Sequence, residues 1–262
     1  MPRLAANLSF LFTELPLLDR IGAAAAAGFR GAEILFPYES GLEDLRAAFR
    51  EARIEPVLFN TPAGDWASGE RGFAAIPGCE TLFSAHLERA KSYALFIGCK
   101  RLHVMAGIPP DDADTADCEA VFVENLKMAA TDAASHGITI TIEPINPIDV
   151  PGYFLTRQDQ AVCILDAVGL PNVALQMDFY HCARVEGDPA GCFRQNVDRI
   201  GHIQIAGVPD RHEPDTGDLD YKPLFALIDE MGYDGWVSCE YHPAGGTLAG
   251  LGWARDWGIN AG

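Results

Sequence analysis

Eight times along the chain a short, β-prone apolar run is followed by a longer stretch with helical periodicity. The strand-like runs are "LAANLSF", "GAEILF", "IEPVLFN", "KRLHVMAG", "ITITIEP", "NVALQMD", "HIQIAG" and "GWVSCEY". Between them, "PLLDRIGAAAAAGF" sets Leu17, Leu18, Ile21, Ala24 and Ala25 on one face of a 3.6-residue period, and "GLEDLRAAFREA" does the same with Leu42, Leu45 and Phe49. The run Ala23–Ala27 belongs to that helix packing. Strict alternation requires parallel strands joined by right-handed crossovers. Eight such units in 262 residues favour closure into a single-domain (β/α)8 TIM barrel over residues 1–262. No Pro- or Ser-rich linker interrupts the series, and no G-x-G-x-x-G follows the first strand, as an open dinucleotide-binding sheet would need. One connection is long, from the third strand to the third helix at about residues 61–79, and carries Trp66, Arg71 and Phe73. Loops of this length in a compact domain are usually functional. The stretch "TLAGLGWARDWG" closes the ring as a final helix.

A parallel barrel gathers the C-terminal ends of its strands at one mouth. Four runs in the second half end in a polar residue able to bind a cation: Glu143, Asp178, Gln204 and Glu240. Any one acid at a strand end is as readily a solvated surface carboxylate; the coincidence of four neighbouring exits points to a site. Oxygen donors of this kind suit a hard divalent metal, Mg2+ or Mn2+, whereas zinc would favour His and Cys. Such a metal, bound to a carbonyl and the adjacent hydroxyl, acidifies the C–H bond between them and stabilises an enediolate. Glu143 and Glu240 are then the two groups that move protons, one ionised and the other protonated.

The formal net charge of −18 repels nucleic-acid backbones and anionic membranes. A small anionic substrate in such a field needs a local cation. Arg211, after the seventh strand, is the first candidate to hold a substrate carboxylate, since its planar guanidinium pairs bidentately, and Arg71 on the long loop is the second. His103 and His242 are assigned to structural roles, and "PAGG" around Gly245 is a weak phosphate-binding candidate. Seven scattered cysteines without a C-x-x-C spacing argue for a reducing, cytoplasmic setting. "MPRLAANLSFLF" is interrupted by Asn7 and Ser9 and reads as a first strand, not a signal peptide; no apolar run is long enough to span a membrane. Assembly into a homo-oligomer is left open by the residues.

Several segments are more specific than any single carboxylate. "NTPAGDWASGERGFAAIPG", "IEPINPIDVPGYFLT", "QMDFYHCARVEGD" and "GHIQIAGVPDRHEPDTGDLDY" resemble the hydroxypyruvate isomerase family of xylose-isomerase-like barrels, whose close relatives are the 2-oxo-tetronate isomerases. The resemblance covers nearly the whole chain. It implies aldose–ketose isomerisation of a small hydroxy-oxo acid, such as hydroxypyruvate to tartronate semialdehyde, or a four-carbon 2-oxo-tetronate. It implies Glu143 and Glu240 as the proton donor and acceptor, and Glu143, Asp178, Gln204 and Glu240 as the metal set. Sugar 3-epimerases of the same superfamily have a D-x-x-H like Asp178–His181, with the His on the substrate; they usually place a His where this chain has Gln204, which argues against a sugar epimerase. A nuclease of the superfamily would need more His ligands and a basic face. A binding barrel without chemistry would have no need of all four polar residues.

Overall fold

The computed structural model describes residues 1–259. Its eight strands are β1 (Arg3–Asn7), β2 (Gly31–Ile34), β3 (Glu55–Asn60), β4 (Arg101–His103), β5 (Thr139–Ile142), β6 (Val173–Asp178), β7 (Ile200–Ile205) and β8 (Trp236–Cys239). They close into one parallel barrel in chain order, with β8 returning to β1 through the partners Leu4 and Val237. The helices are α1 (Leu17–Ala26), α2 (Leu42–Ala52), α3 (Glu80–Ile97), α4 (Thr115–Ala134), α5 (Gln158–Val168), α6 (Phe179–Glu186), α7 (Pro189–Asn196), α8 (Tyr221–Glu230) and α9 (Thr247–Gly250). None is long and apolar enough to cross a membrane.

Local signals set the element ends. Asp114 and Asp220 accept backbone N–H bonds at the starts of α4 and α8, satisfying donors that have no partner within the helix. Gly28, with φ of 103°, ends the turn after α1 in the left-handed region that glycine enters without a Cβ clash. The connection from β3 to α3 is irregular apart from a 3-10 turn at Trp66–Ser68, and Asp65 caps that turn.

Two details depart from the pattern in the sequence. β6 is followed by two helices, because Asp178 ends the strand and caps α6 by accepting the Tyr180 N–H at 2.7 Å. The segment after β8 is only briefly α-helical: α9 passes into a 3-10 stretch, Leu251–Trp257, with Gly250, Gly252 and Gly258 in or beside it. Glycine's backbone entropy disfavours a regular helix there.

The barrel interior changes character along its axis. Ala5, Val57 and Trp236 pack together at the N-terminal end, where a Cβ on Gly31 would lie 2.6 Å from Val57 and 3.0 Å from the Trp236 ring. Two residues further along, the same strands carry Asn7, Glu33 and Ser238, all fully buried. An apolar plug thus closes one end, and buried polar groups fill the other.

Candidate active site

The polar end of the barrel holds the carboxylates that the strand exits suggested. Glu143 and Glu240 are each 5% exposed, and Asp178 and Gln204 are fully buried. Asp178 and Gln204 are register partners on β6 and β7. The Gln176 amide donates to Glu143 Oε2 at 3.1 Å and to Gln204 Oε1 at 2.8 Å. The Gln204 amide in turn donates to Glu33 Oε1 at 2.9 Å and to Glu240 Oε2. Arg211, 17% exposed, donates from Nη2 to Glu240 Oε1 at 2.6 Å and lies 3.6 Å from Asp178 Oδ2. Its guanidinium carbon lies 4.9 Å from the Tyr180 ring centre and 5.1 Å from that of Phe10. Residues 143, 178, 204 and 240 therefore form one buried cluster at the C-terminal end of the barrel strands, tied together by hydrogen bonds and one guanidinium.

His181 joins them. Its Nε2 is 3.6 Å from Asp178 Oδ2 and 3.9 Å from Glu143 Oε1, and one ligand atom from each of the three residues lies within 4.8 Å of the others. Arg71 does not join them. It stacks 3.7 Å above Trp66 and donates to the Trp66 and Glu70 carbonyls at 3.0 and 2.8 Å. Trp66 packs on Phe36, so this loop covers the connection that follows β2. His242 packs its ring on Phe10, and His103 faces Asn60 at 3.2 Å beneath the cluster. Near Gly245, the Ala244 N–H already donates to the Glu213 carboxylate at 3.2 Å, so a phosphate there would meet a fixed negative charge.

Burial without full charge compensation governs the electrostatics. It pushes Glu143 well above the usual glutamate range, and the Asp178 charge pushes it further, against Arg211. Burial raises Asp178 to about 6, although Arg211 and the N–H groups that start α6 hold it down. Glu240 is raised by burial, partly relieved by Arg211, and raised again by Glu143, Glu33 and Asp178. Burial takes His103 to about 3, and with Arg211 it holds His181 well below the imidazole range. Glu33 moves the other way: burial opposes its ionisation, but the His202 imidazole and the bonds from His202 and Gln204 outweigh it and lower its pKa.

A group of acids so hard to ionise together is suited to a cation. Glu143 Oε1 and Asp178 Oδ2 are buried without a hydrogen-bond partner, which is costly unless something binds them. The donor set is mainly oxygen, as a hard divalent ion prefers.

Residues 21–257 match the xylose isomerase-like TIM barrel family. The chain belongs to that family. Among curated relatives it is similar to a 2-oxo-tetronate isomerase of Cupriavidus necator, 54% identical over 98% of this chain and 99% of that protein. It is also similar to the hydroxypyruvate isomerase of Escherichia coli, 44% identical over 97% and 98% of the two chains. A solved structure described as an AP endonuclease, family 2, from Brucella melitensis superposes with a TM-score of 0.96, at 46% identity over 98% of this chain and 99% of that one. An E. coli 3-keto-D-glucoside 4-epimerase superposes at 0.82 with 20% identity, a likeness of fold alone.

Within this family barrel, the sequence reading missed the support beneath the carboxylates. Glu33 accepts from Asn7 at 2.6 Å and Gln204 at 2.9 Å and meets His202 Nε2 at 2.7 Å. Asn7 also donates to Glu240 at 2.8 Å. The signal lay in the strands' period of two, in which Gln176, His202 and Ser238 each precede a candidate site residue by two positions and so face the same interior.

Proposed function

We propose that this chain is an isomerase that interconverts hydroxypyruvate and tartronate semialdehyde through an enediolate, with Glu143 and Glu240 moving the proton. The observation that carries the reading is the pair itself. Two buried glutamates, both hard to ionise, lie in one polar cluster with an arginine against one and a histidine against the other. In the forward direction an ionised glutamate takes a proton from the carbon bearing the hydroxyl. The enediolate then receives a proton on the adjacent carbon from the protonated glutamate, while the hydroxyl proton passes between the two oxygens. Mutual repulsion keeps one acid protonated while the other is ionised, as this exchange requires.

Arg211 is positioned to bind the substrate carboxylate. Its Nε is buried without a partner, leaving a donor directed away from Glu240. His181 supplies a polar contact between Glu143 and Asp178, whereas Arg71, held on Trp66 in the loop that leaves β3, stands apart from this cluster. Glu143, Asp178, Gln204 and Glu240 would hold a divalent metal, Mg2+ or Mn2+, which when bound polarises the substrate carbonyl. The curated relatives' names support isomerase chemistry on a small acid. The name of the Brucella structure suggests a nucleic-acid substrate, which a net charge of −18 disfavours.

The same chemistry fits the four-carbon 2-oxo-tetronate, and the Cupriavidus relative favours that reading. The two are separated by comparing turnover on each acid by proton NMR in deuterated water, with and without chelator. Isomerisation incorporates solvent deuterium at the carbon that accepts the proton. Glu143→Gln and Glu240→Gln are each expected to lower kcat by about 10³-fold or more while the fold persists. Near-normal turnover in either variant removes the pair from the mechanism.

A further inference from the structure

Asn146 follows β5 in the "EPIN" turn and is fully buried. Its side-chain oxygen accepts two backbone N–H bonds, from Ile148 at 3.1 Å and Asp149 at 2.9 Å. Backbone N–H groups only donate, so the amide orientation is fixed: Oδ1 faces the turn and Nδ2 faces the other way. There Nδ2 meets His181 Nδ1 at 2.6 Å, and the Asn146 backbone N–H points at the same Nδ1 at 3.4 Å. Both groups are donors, so Nδ1 must be the acceptor. A neutral imidazole that accepts at Nδ1 carries its proton on Nε2. Two donors at Nδ1 leave no room for a proton there, so the ring is neutral.

We infer that Asn146 is a positioning residue that holds His181 as its Nε2–H tautomer, so that His181 donates a hydrogen bond into the site and does not ligate a metal. The inference deepens the isomerase reading and rests on it for the identity of the acceptor, a substrate oxygen. The Nε2–H faces the space bordered by Glu143 Oε1 and Asp178 Oδ2, at 3.9 and 3.6 Å, too far for good hydrogen bonds and open to an oxygen between them. Nε2 then has no lone pair for a cation, although its spacing from the two carboxylates is that of a ligand. Any metal held by Glu143 and Asp178 would then take its other protein donors from Gln204 and Glu240.

The test reads the tautomer directly. In metal-free, substrate-free protein labelled with 15N, two-bond 15N–1H correlations distinguish Nε2–H from Nδ1–H for His181. The expected result is Nε2–H. Asn146→Asp keeps an oxygen for the Ile148 and Asp149 N–H groups and turns a second acceptor towards Nδ1; the ring should switch to Nδ1–H or become doubly protonated. With it kcat should fall about 10–100-fold, the usual cost of disturbing an outer-shell partner, while Asn146→Gln partly restores it. An Nδ1–H ring in the unmodified protein overturns the proposal, as does an unchanged tautomer in Asn146→Asp. Because the NMR reading needs no turnover, failure of the isomerase assignment would show separately, as absent deuterium incorporation with the tautomer as expected.

Discussion

Arg211 sits in the left-handed backbone region, with φ of 56°, a conformation that a non-glycine residue adopts at some cost. That geometry turns its guanidinium back over the barrel mouth, where Glu240, Asp178, Tyr180 and Phe10 surround it. The positive charge holds the acids together, and its Nε donor is left without a protein partner. Arg211→Lys keeps the charge but loses the planar fork, so KM for the acid should rise about tenfold or more with a smaller change in kcat. Steady-state kinetics on both acids check this; an unchanged KM would assign Arg211 to holding Glu240 alone. Residue chemistry at the strand exits was legible in the sequence because carboxylates after apolar runs stand out. Arg71 was legible as a cation, but a sequence does not show that Trp66 lies beneath it. The role of Asn146 was hidden in an ordinary turn, since its meaning depends on which atom of His181 it meets.

β6 and β7 deliver polar side chains to the interior at a spacing of two, and this property of the elements explains both what was read and what was overlooked. Gln176 and Asp178 on β6, and His202 and Gln204 on β7, form two stacked polar levels in register. The upper level was read as a candidate site; the lower looked like ordinary polar strand residues. Glu33 escaped because "GAEILF" lies in the first half of the chain, away from the four exits. The eight βα units themselves were legible because hydrophobic periodicity switches between two and 3.6. α6 was not, because a short helix starting at a site aspartate leaves no long periodic stripe. Glu33→Gln would replace an acceptor of three hydrogen bonds by an amide that must aim a donor at Asn7, Gln204 or His202. A loss of about 2–4 kcal/mol in denaturant unfolding is expected, from charge-assisted bonds of about 1.5–3 kcal/mol each, partly recovered by repacking. A change below about 0.5 kcal/mol would mean that this carboxylate does not hold the lower level together.

For the molecule as a whole, the buried acids create a dependence on pH and metal with a definite sign. Asp178 is raised from 3.8 to about 6, and Glu143 and Glu240 stand well above their ordinary value of 4.5. A folded protein that holds these protons binds more of them than its unfolded chain does. The stabilisation is fully present below the unfolded values and is lost as pH rises through about 6 and beyond. Glu33 contributes in the opposite sense: its stabilisation is present above the ordinary glutamate value and is lost as pH falls through its lowered one. Metal-free protein should therefore lose thermal stability as pH rises from about 4 through about 6, and further above that while Glu143 and Glu240 still hold protons. A surface with a net charge of −18 repels itself more as pH rises and would contribute to the same trend. Asp178→Asn separates the two, because it removes a buried titrating group and should flatten the slope below about pH 6 while leaving the surface unchanged. A divalent ion such as Mg2+ or Mn2+, if held by these carboxylates, would compete with the same protons. At about 100 times its Kd such an ion adds about 2.7 kcal/mol, which for a chain of this size raises Tm by about 5–10 °C. Calorimetry should find that increase at pH 8 and little of it at pH 5. An equal shift at both, or a slope that survives Asp178→Asn unchanged, would mean that the cation and the protons do not share these carboxylates.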